Sequence, residues 1–234
     1  MTPKSPHTTV LLIGASRGLG LAMAEEYLNH GSQVVATVRS EQRTELHDLQ
    51  DTAAGRLEIE HIDITIPEHI VDLHNRLASR TFDLLFVNAG ITNNAEDTIA
   101  DISTAEFTRL MITNALSPMR VIEALEDLVA PDGTIAVMSS GQGSVANNER
   151  GGFEVYRGTK AALNMFMRSY AARHHNDPRT LLLMAPGWVK TRLGGPNARL
   201  TINESVPNLV KVIDAQHGRG GLQYLDYRGE TVAW

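Results

Sequence analysis

The sequence predicts an α/β fold in which helices cover both faces of a doubly wound, mostly parallel sheet. Runs of branched apolar residues alternate with longer helical patterns, in the order βαβαβαβ up to residue 90. These runs lack polar alternation, which is typical of parallel strands buried on both faces. The chain length suits one substantial core, so we expect a single domain over residues 1–234.

The predicted strands and helices follow one another in a regular order. Apolar runs predict strands at 10–15, 33–38, 57–64, 83–90, 133–140, 180–187 and 220–227. Amphipathic periodicity predicts helices at 18–29, 41–50, 67–79, 103–129 and 156–175. We interpret 141–155 and 191–208 as irregular loops at strand carboxyl ends, where ligands bind in such folds.

Two local signals qualify the long helix predicted at 103–129. Ser103 and Glu106 have the spacing of a capping box at its start. Pro118 lies inside the same helix, where proline removes a backbone hydrogen bond. We therefore expect a kink near Pro118.

Composition argues against several classes of function. The net charge is −6 without a basic block, which disfavours a nucleic-acid surface and a polybasic membrane anchor. No apolar run approaches the roughly 18 residues of a membrane helix, and the first apolar run is shorter than a signal peptide needs. The chain has no cysteine, which excludes disulfides and thiolate chemistry and is compatible with the cytoplasm.

The nine histidines show no metal-binding spacing. Neither HxH nor HExxH occurs, and the adjacent His174 and His175 at a predicted helix end point in different directions. Histidine near a helix carboxyl terminus is favoured by the helix dipole. We therefore predict no metal site.

A glycine-rich turn joins the first predicted strand to the first helix. Gly14, Gly18 and Gly20 give the spacing GxxxGxG. Without Cβ atoms the backbone N–H groups can approach a pyrophosphate, and the helix N-terminus adds about half a positive charge. An ordinary strand-to-helix turn is the alternative interpretation.

Tyr156 and Lys160 are four residues apart at the start of a predicted helix, so both side chains leave the same face. A cation at this distance favours ionisation of a phenol, which suits a proton-transfer pair. The same spacing is common on ordinary amphipathic helices. The spacing alone therefore does not distinguish a proton-transfer pair from two ordinary helix residues, and the other motifs of the chain must decide.

Together these motifs resemble the short-chain dehydrogenase/reductase family, over nearly the whole chain. The resemblance implies a Rossmann-type fold and four catalytic residues: Asn114, Ser140, Tyr156 and Lys160. It implies that Tyr156 is the general acid, Ser140 holds the carbonyl oxygen, and Lys160 lowers the tyrosine pKa and binds the nicotinamide ribose. Asn114 would anchor a water. "MSSGQGS", "YRGTKAALNM" and "PGWVKTRLGG" look most like C-factor-like and sniffer-like carbonyl reductases.

The resemblance also implies a set of cofactor-binding residues. Asp63 matches the residue that faces the adenine, Asn88 begins the "NAG" motif, and Pro186 begins the nicotinamide-side segment. The whole set is Gly14, Ser16, Arg17, Gly18, Leu19, Gly20, Arg39, Asp63, Ile64, Asn88, Ala89, Gly90, Tyr156, Lys160, Pro186, Gly187, Val189 and Thr191.

The end of the second strand favours NADP(H) over NAD(H). An NAD site would have an acidic residue there to bind the ribose 2′-OH, but this chain has Val38 followed by Arg39. Arginine suits a phosphate, and Arg17 could contact the same phosphate from the other side. A solvated surface arginine is the alternative for Arg39.

The sequence departs from the family pattern at Ile13 and before Tyr156, and it allows two interpretations of Trp188. Ile13 replaces the family's usual threonine, so we expect the turn to lack a supporting side-chain hydrogen bond. The loop before Tyr156 is longer than usual, which leaves open whether Ser139 or Ser140 points inward; we favour Ser140. Trp188 either caps the nicotinamide pocket or belongs to the core.

The leading hypothesis is reduction of a small ketone, aldehyde or quinone with NADPH. Oxidation of an alcohol by the same residues, or an NADP(H)-binding signalling module, are the alternatives. The resemblance also implies a homodimer or homotetramer that packs through the helices at 103–129 and 156–175.

Overall fold

Parallel strands form a single seven-stranded sheet in the computed structural model, which describes residues 8–234. The strands are β1 (Thr9–Ile13), β2 (Gln33–Val38), β3 (Leu57–His61), β4 (Phe82–Val87), β5 (Val129–Met138), β6 (Thr180–Ala185) and β7 (Gly221–Asp226). Their order is β3-β2-β1-β4-β5-β6-β7. The order reverses between β1 and β4, which opens a crevice at the carboxyl ends of the strands.

Seven α-helices of the described part cover the two faces of this sheet. They are α1 (Gly18–Asn29), α2 (Glu45–Thr52), α3 (Pro67–Leu77), α4 (Thr104–Met111), α5 (Ser117–Leu125), α6 (Glu154–Arg173) and α7 (Ile202–Ala215). Helices α1, α2 and α7 contribute to one apolar cluster, and α3, α5 and α6 contribute to the other.

The sheet is buried on both faces. Successive side chains of a strand point to opposite faces, so Val10 and Leu12 enter one cluster while Leu11 and Ile13 enter the other. All four are fully buried. Burial of each such side chain stabilises the fold by about 1.5–3 kcal/mol. The doubly wound α/β fold predicted from the unalternating apolar runs is confirmed.

The predicted strands all form, but most end before the glycines, serines or prolines that close each apolar run. Helix boundaries differ from the prediction by a few residues. The prediction of one domain over 1–234 stays a prediction. Residues 1–7, which precede the first apolar run considered above as a signal peptide, lie outside the described part.

The prediction of an irregular stretch over 191–208 was wrong, because α7 begins at Ile202. A capping box starts this helix: the Thr201 N–H donates to Glu204 Oε2 at 2.7 Å, and Thr201 Oγ1 accepts from the Glu204 N–H at 3.3 Å. Pro207 lies inside the helix. Because proline is unfavourable in a helix interior, the sequence did not predict a helix here.

The long helix predicted at 103–129 is divided into α4, a π-helical turn (Ile112–Leu116) and α5. Pro118 explains the break: it has no N–H for the carbonyl of Asn114, and its ring would clash with that carbonyl in a regular helix. At the helix start, Ser103 Oγ accepts from the Glu106 N–H at 3.2 Å, while the Glu106 carboxylate binds Arg109. Only the serine half of the expected capping box forms.

Within residues 8–234, no helix combines the length and the apolar character needed to cross a membrane.

Candidate active site

A large cleft, of about 940 Å³, opens where the strand carboxyl ends meet. All predicted site residues line it except Gly20 and Asn114, which lie behind its wall. The lining residues among those predicted are Gly14, Ser16, Arg17, Gly18, Leu19, Arg39, Asp63, Ile64, Asn88, Ala89, Gly90, Ser140, Tyr156, Lys160, Pro186, Gly187, Val189 and Thr191.

The glycine turn after β1 leaves no room for side chains. A Cβ on Gly20 would lie 2.2 Å from the Gly14 carbonyl oxygen, and a Cβ on Gly14 would lie 3.0 Å from Ala89. Gly14 also has φ +91°, which glycine adopts most readily. The N-terminus of α1 can therefore approach the turn and present its backbone N–H groups to the cleft. This backbone cradle fits a pyrophosphate.

A side chain of the neighbouring strand supports the turn with a hydrogen bond. The prediction that the turn lacks such a bond, because residue 13 is isoleucine, was therefore wrong. Thr37 Oγ1, on β2, accepts from the Gly14 N–H at 2.9 Å. Asn88 Nδ2 donates to the Gly14 carbonyl oxygen at 2.7 Å. A threonine on the adjacent strand thus supplies the support that Ile13 lacks.

The far end of the cleft carries the carboxylates of Asp63 and Glu45 and two exposed arginines. Burial raises the pKa of Asp63, but hydrogen bonds from Thr65 and the charge of nearby Arg39 outweigh it, so this pKa lies below its ordinary value. Asp63 Oδ1 accepts from the Thr65 N–H at 2.9 Å. Arg17 and Arg39 are both exposed and line the cleft, while Val38 is buried. A negatively charged group would meet both guanidinium groups here.

Ser140, Tyr156 and Lys160 meet at the other end of the cleft. Ser140 directly follows the loop residue Ser139 after β5, its Oγ accepts from the Gln142 N–H at 3.1 Å, and its side chain lies near enough to the Tyr156 hydroxyl to lower the pKa of that phenol. Lys160 Nζ lies 5.9 Å from the centre of the Tyr156 ring and donates to the Met138 carbonyl oxygen at 2.9 Å. The four-residue spacing on α6 therefore places the phenol and the ammonium on one face.

Burial dominates the proton affinity of both groups. It raises the pKa of Tyr156 to about 12, against a smaller lowering effect of the Ser140 hydrogen bond. It lowers the pKa of Lys160 to about 8. Desolvation of the phenol is the largest effect on the pKa of Tyr156, and the contribution expected from the Lys160 charge stays a prediction. Tyr156 is consequently protonated at neutral pH.

The Asn114 side chain is fully buried and ties the surrounding elements together. Its Oδ1 accepts from the Ile91 N–H at 2.9 Å, and its Nδ2 donates to the Ile91 carbonyl oxygen at 2.8 Å. Nδ2 also donates to Thr159 Oγ1 at 3.1 Å, and that hydroxyl donates to the Tyr156 carbonyl oxygen at 2.7 Å. The side chain of Asn114 thus joins the loop after β4 to α6.

The two candidate serines make different contacts. Ser139 is buried, and its Oγ donates to Asn164 Oδ1 at 2.6 Å. Ser140 is the serine whose side chain contacts the Tyr156 hydroxyl. These contacts favour Ser140 as the reactive-site serine, with Ser139 in a supporting role.

Trp188 is 48% exposed and lines the cleft, so it does not belong to the core. Its Nε1 donates to the Gly194 carbonyl oxygen at 2.7 Å, which holds the indole over the loop after β6. Sequence reasoning missed several other lining residues: Thr37, Thr92, Gln142, Phe153 and Leu193. Only Phe153 had a nearby signal in the sequence, the Gly151–Gly152 pair that precedes it. Phe153 is the residue before α6 and, like these two glycines, has a positive φ angle, of +51°.

His174 ends α6 and stacks on Tyr170 with ring centres 4.3 Å apart. In the part of the chain that the structure describes, no three histidine, aspartate or glutamate side chains are grouped as metal ligands.

Comparisons with known proteins agree with this geometry. A family model described as short chain dehydrogenase matches residues 8–199. The chain belongs to the short-chain dehydrogenase family. C-signal of Myxococcus xanthus is 35% identical over 154 residues, which are 65% of this chain and 92% of that protein.

Two solved structures are similar over nearly the whole chain. One is described as a short-chain dehydrogenase/reductase from Burkholderia multivorans with bound NADP; it is 60% identical, with 98% of this chain and 100% of that chain covered and a TM-score of 0.96. The carbonyl reductase Sniffer of D. melanogaster is 27% identical, with 97% and 99% covered and a TM-score of 0.85. The resemblance to C-factor-like and sniffer-like members is confirmed.

We expect Arg39→Ala to weaken NADPH binding by roughly 10- to 150-fold, because a hydrogen bond to a charged group contributes about 1.5–3 kcal/mol. NADH binding should barely change, since NADH has no 2′-phosphate. Titration of both cofactors measures this. Arg43→Ala is the matched control, because Arg43 is exposed on the same loop but pairs with Asp48 and Asp51. Equal weakening of both cofactors by Arg39→Ala would contradict the assignment.

We expect Lys160→Met to stabilise the cofactor-free protein at pH 7 by about 1–3 kcal/mol. Folding lowers the pKa of Lys160 from 10.5 to about 8, and each pKa unit corresponds to about 1.4 kcal/mol against the charged form. Between pH 8 and 10.5 the unfolded wild type binds more protons than the folded one, so the wild type gains stability and the difference shrinks.

Urea unfolding at several pH values measures this effect. Lys211→Met is the control, since Lys211 is exposed on α7 and its replacement should change stability by less than about 0.5 kcal/mol. A less stable Lys160→Met protein at pH 7 would show that the buried amine is not a cost to the fold.

Proposed function

We propose that this protein reduces a small ketone, aldehyde or quinone to an alcohol with NADPH, and that Tyr156 is the general acid. The observation that carries the proposal is that Ser140, the buried Tyr156 and Lys160 line one end of the same cleft, with Lys160 Nζ 5.9 Å from the centre of the Tyr156 ring. Both hydroxyls can reach one substrate oxygen. The protein is an oxidoreductase by its family, and Sniffer, a carbonyl reductase, shares its fold.

The cofactor of this enzyme is NADP(H), which the Burkholderia structure holds. The turn between Gly14 and Gly20 fits the pyrophosphate, because a Cβ on Gly14 would crowd Ala89 and a Cβ on Gly20 would collide with the Gly14 carbonyl oxygen, so only glycine allows the turn to pack tightly against α1. We propose that Arg17 and Arg39 bind the 2′-phosphate and that Asp63 faces the adenine. The other cleft-lining residues predicted for the cofactor would bound the rest of it: Ser16, Gly18, Leu19, Ile64, Asn88, Ala89, Gly90, Pro186, Gly187, Val189 and Thr191.

Proton transfer from Tyr156 follows from its environment. When bound, NADPH supplies the hydride that the carbonyl carbon accepts. Tyr156 begins protonated, since its pKa is about 12, and gives its proton to the carbonyl oxygen. Ser140 donates a hydrogen bond to the same oxygen as negative charge develops there. The Lys160 ammonium then stabilises the resulting tyrosinate.

Lys160 retains donors for a second task. An ammonium group has three N–H donors, and one of them goes to the Met138 carbonyl oxygen. The other two can bind ribose hydroxyl groups at the nicotinamide end of the cleft. A Cβ on Gly90 would lie 3.6 Å from Nζ and 3.5 Å from Asn114 Oδ1. The missing side chain leaves space beside Lys160, which supports the proposal of a water anchored by Asn114.

Apolar side chains on α4, α6 and the π-helical turn support a homodimer or homotetramer. Phe107, Leu116, Met165 and Phe166 are all exposed. Leu163, Met167 and Tyr170 on α6 are fully buried, so Phe166 is available to a partner although its neighbours are not. We propose that a second copy of this chain covers these side chains. That the protein works in the cytoplasm, away from nucleic acid and membrane, stays a prediction.

Turnover is expected in an NADPH absorbance assay with a panel of small ketones, aldehydes and quinones. Tyr156→Phe should lower the rate by about 10²- to 10⁴-fold and leave the Kd for NADPH within about twofold. Tyr27→Phe is the control, because Tyr27 is buried on α1, away from the cleft. No turnover with any carbonyl compound, or a Tyr156→Phe enzyme with more than a tenth of the rate, would refute the proposal. Turnover only with alcohols and NADP+ would assign the oxidative direction.

Sedimentation at micromolar concentration should show a dimer or tetramer. Phe166→Glu should dissociate it, because a carboxylate would be buried in the proposed interface. Val71→Glu is the matched control, since Val71 is 55% exposed on α3, on another helix. A wild type that sediments as a monomer would overturn the oligomer proposal without affecting the catalytic one.

A further inference from the structure

Tyr224 connects β7 to the reactive-site serine. It is 1% exposed, and its hydroxyl donates to the Ser140 carbonyl oxygen across 84 residues of sequence. Ser140 lies beyond the last sheet hydrogen bond in this region, in which the Ser139 N–H donates to the Met184 carbonyl oxygen at 2.8 Å. The phenol therefore holds the backbone at the point where the sheet ceases to do so.

Asn164 on α6 makes two further hydrogen bonds to the same loop. Asn164 Oδ1 accepts from Ser139 Oγ at 2.6 Å, and Asn164 Nδ2 donates to the Gly143 carbonyl oxygen at 3.2 Å. Burial raises the pKa of Tyr224, while hydrogen bonds with Asn164 and Ser139 oppose this effect. The hydroxyl of Tyr224 thus belongs to a buried network on both sides of Ser140.

Trp234 covers this network from outside. Its ring lies 5.4 Å from the Tyr224 ring, and the Arg168 guanidinium stacks over it at 4.4 Å. Its carbonyl oxygen accepts from the Ala146 N–H at 2.9 Å, which attaches the far part of the loop after Ser140. A cation over an indole ring is attracted by the negative face of the ring. Trp234 therefore limits movement of Tyr224 and of the loop.

We propose that Tyr224 is a positioning residue, which holds the Ser140 hydroxyl against Tyr156 through the Ser140 backbone. The proposal rests on the proposed carbonyl reduction, because the substrate oxygen must meet both hydroxyls at once. Displacement of such a group by about 1 Å can cost on the order of 100-fold in rate. None of the predicted catalytic residues lies on β7, and Tyr224 connects this strand to Ser140 through the Ser140 carbonyl oxygen.

Tyr224→Phe removes the hydroxyl and keeps the ring in the core. We expect kcat to fall about tenfold, while the Kd for NADPH stays within about twofold, because the altered loop borders the serine and not the phosphate cradle. Tyr170→Phe is the matched control: its hydroxyl is also buried and hydrogen-bonded, to Glu126, but lies at the opposite end of α6 from Tyr156. Its kcat should match the wild type.

A double-mutant cycle distinguishes positioning from general loosening. If Tyr224 acts through Ser140, Tyr224→Phe should reduce kcat in the wild type but not further in Ser140→Ala. Trp234→Ala should lower kcat in the same non-additive manner, by about two- to fivefold. Additive losses in the Ser140→Ala background, or a Tyr224→Phe enzyme with more than half of the wild-type kcat, would overturn the inference.

Crystal structures of the NADP+ complexes test the inference without turnover. The distance between the Ser140 and Tyr156 hydroxyl oxygens should be longer and more variable in Tyr224→Phe than in the wild type. An unchanged distance would refute the role of Tyr224 even if the enzyme proved inactive on carbonyl compounds. Absence of carbonyl turnover together with a displaced Ser140 would refute the proposed function alone.

Discussion

The burial of the Lys160 ammonium is the constraint on which the site depends. A charged group away from water is costly, and this one lies against the carboxyl end of β5 with a backbone carbonyl as its hydrogen-bond partner. The apolar core on both faces of the sheet supplies the stability that tolerates it. Burial also raises the pKa of the neighbouring Tyr156 to about 12. Desolvation thus acts on both groups of the pair, lowering the pKa of the amine and raising that of the phenol.

Hydrogen bonds from several loops then fix the groups around this cation. Asn114 joins the loop after β4 to α6, and Thr159 extends the contact to the backbone of Tyr156. The π-helical turn presents Asn114 in this way, because Pro118 prevents a regular helix there. On the other side, Tyr224 and Asn164 hold the serine loop. Residues from the π-helical turn, α6 and β7 thus hold the segments around Tyr156 and Ser140.

The two ends of the cleft differ in the physical basis of binding. The phosphate end consists of backbone N–H groups and exposed arginines, whose interaction with an anion is strong but weakened by salt. The end with Ser140, Tyr156 and Lys160 instead holds a largely buried phenol and ammonium. Spacing in the sequence pointed to Gly14, Tyr156 and Lys160, which all line the cleft, and their roles stay predictions. Sequence reasoning missed Thr37 and Thr159, since a lone threonine has no spacing to identify it.

The sequence by itself determined the order of the strands along the chain, the glycine turn and the placement of Tyr156 and Lys160 on one helical face. It also determined that Arg39 follows β2. These features depend on local periodicity and on backbone freedom, which neighbouring residues specify. Only the tertiary structure decided that Ser139 binds Asn164, that α7 forms around Pro207, and that burial raises the pKa of Tyr156. It also brought Tyr224 to Ser140. Desolvation and contacts between distant segments depend on how the whole chain packs, and no local pattern records them.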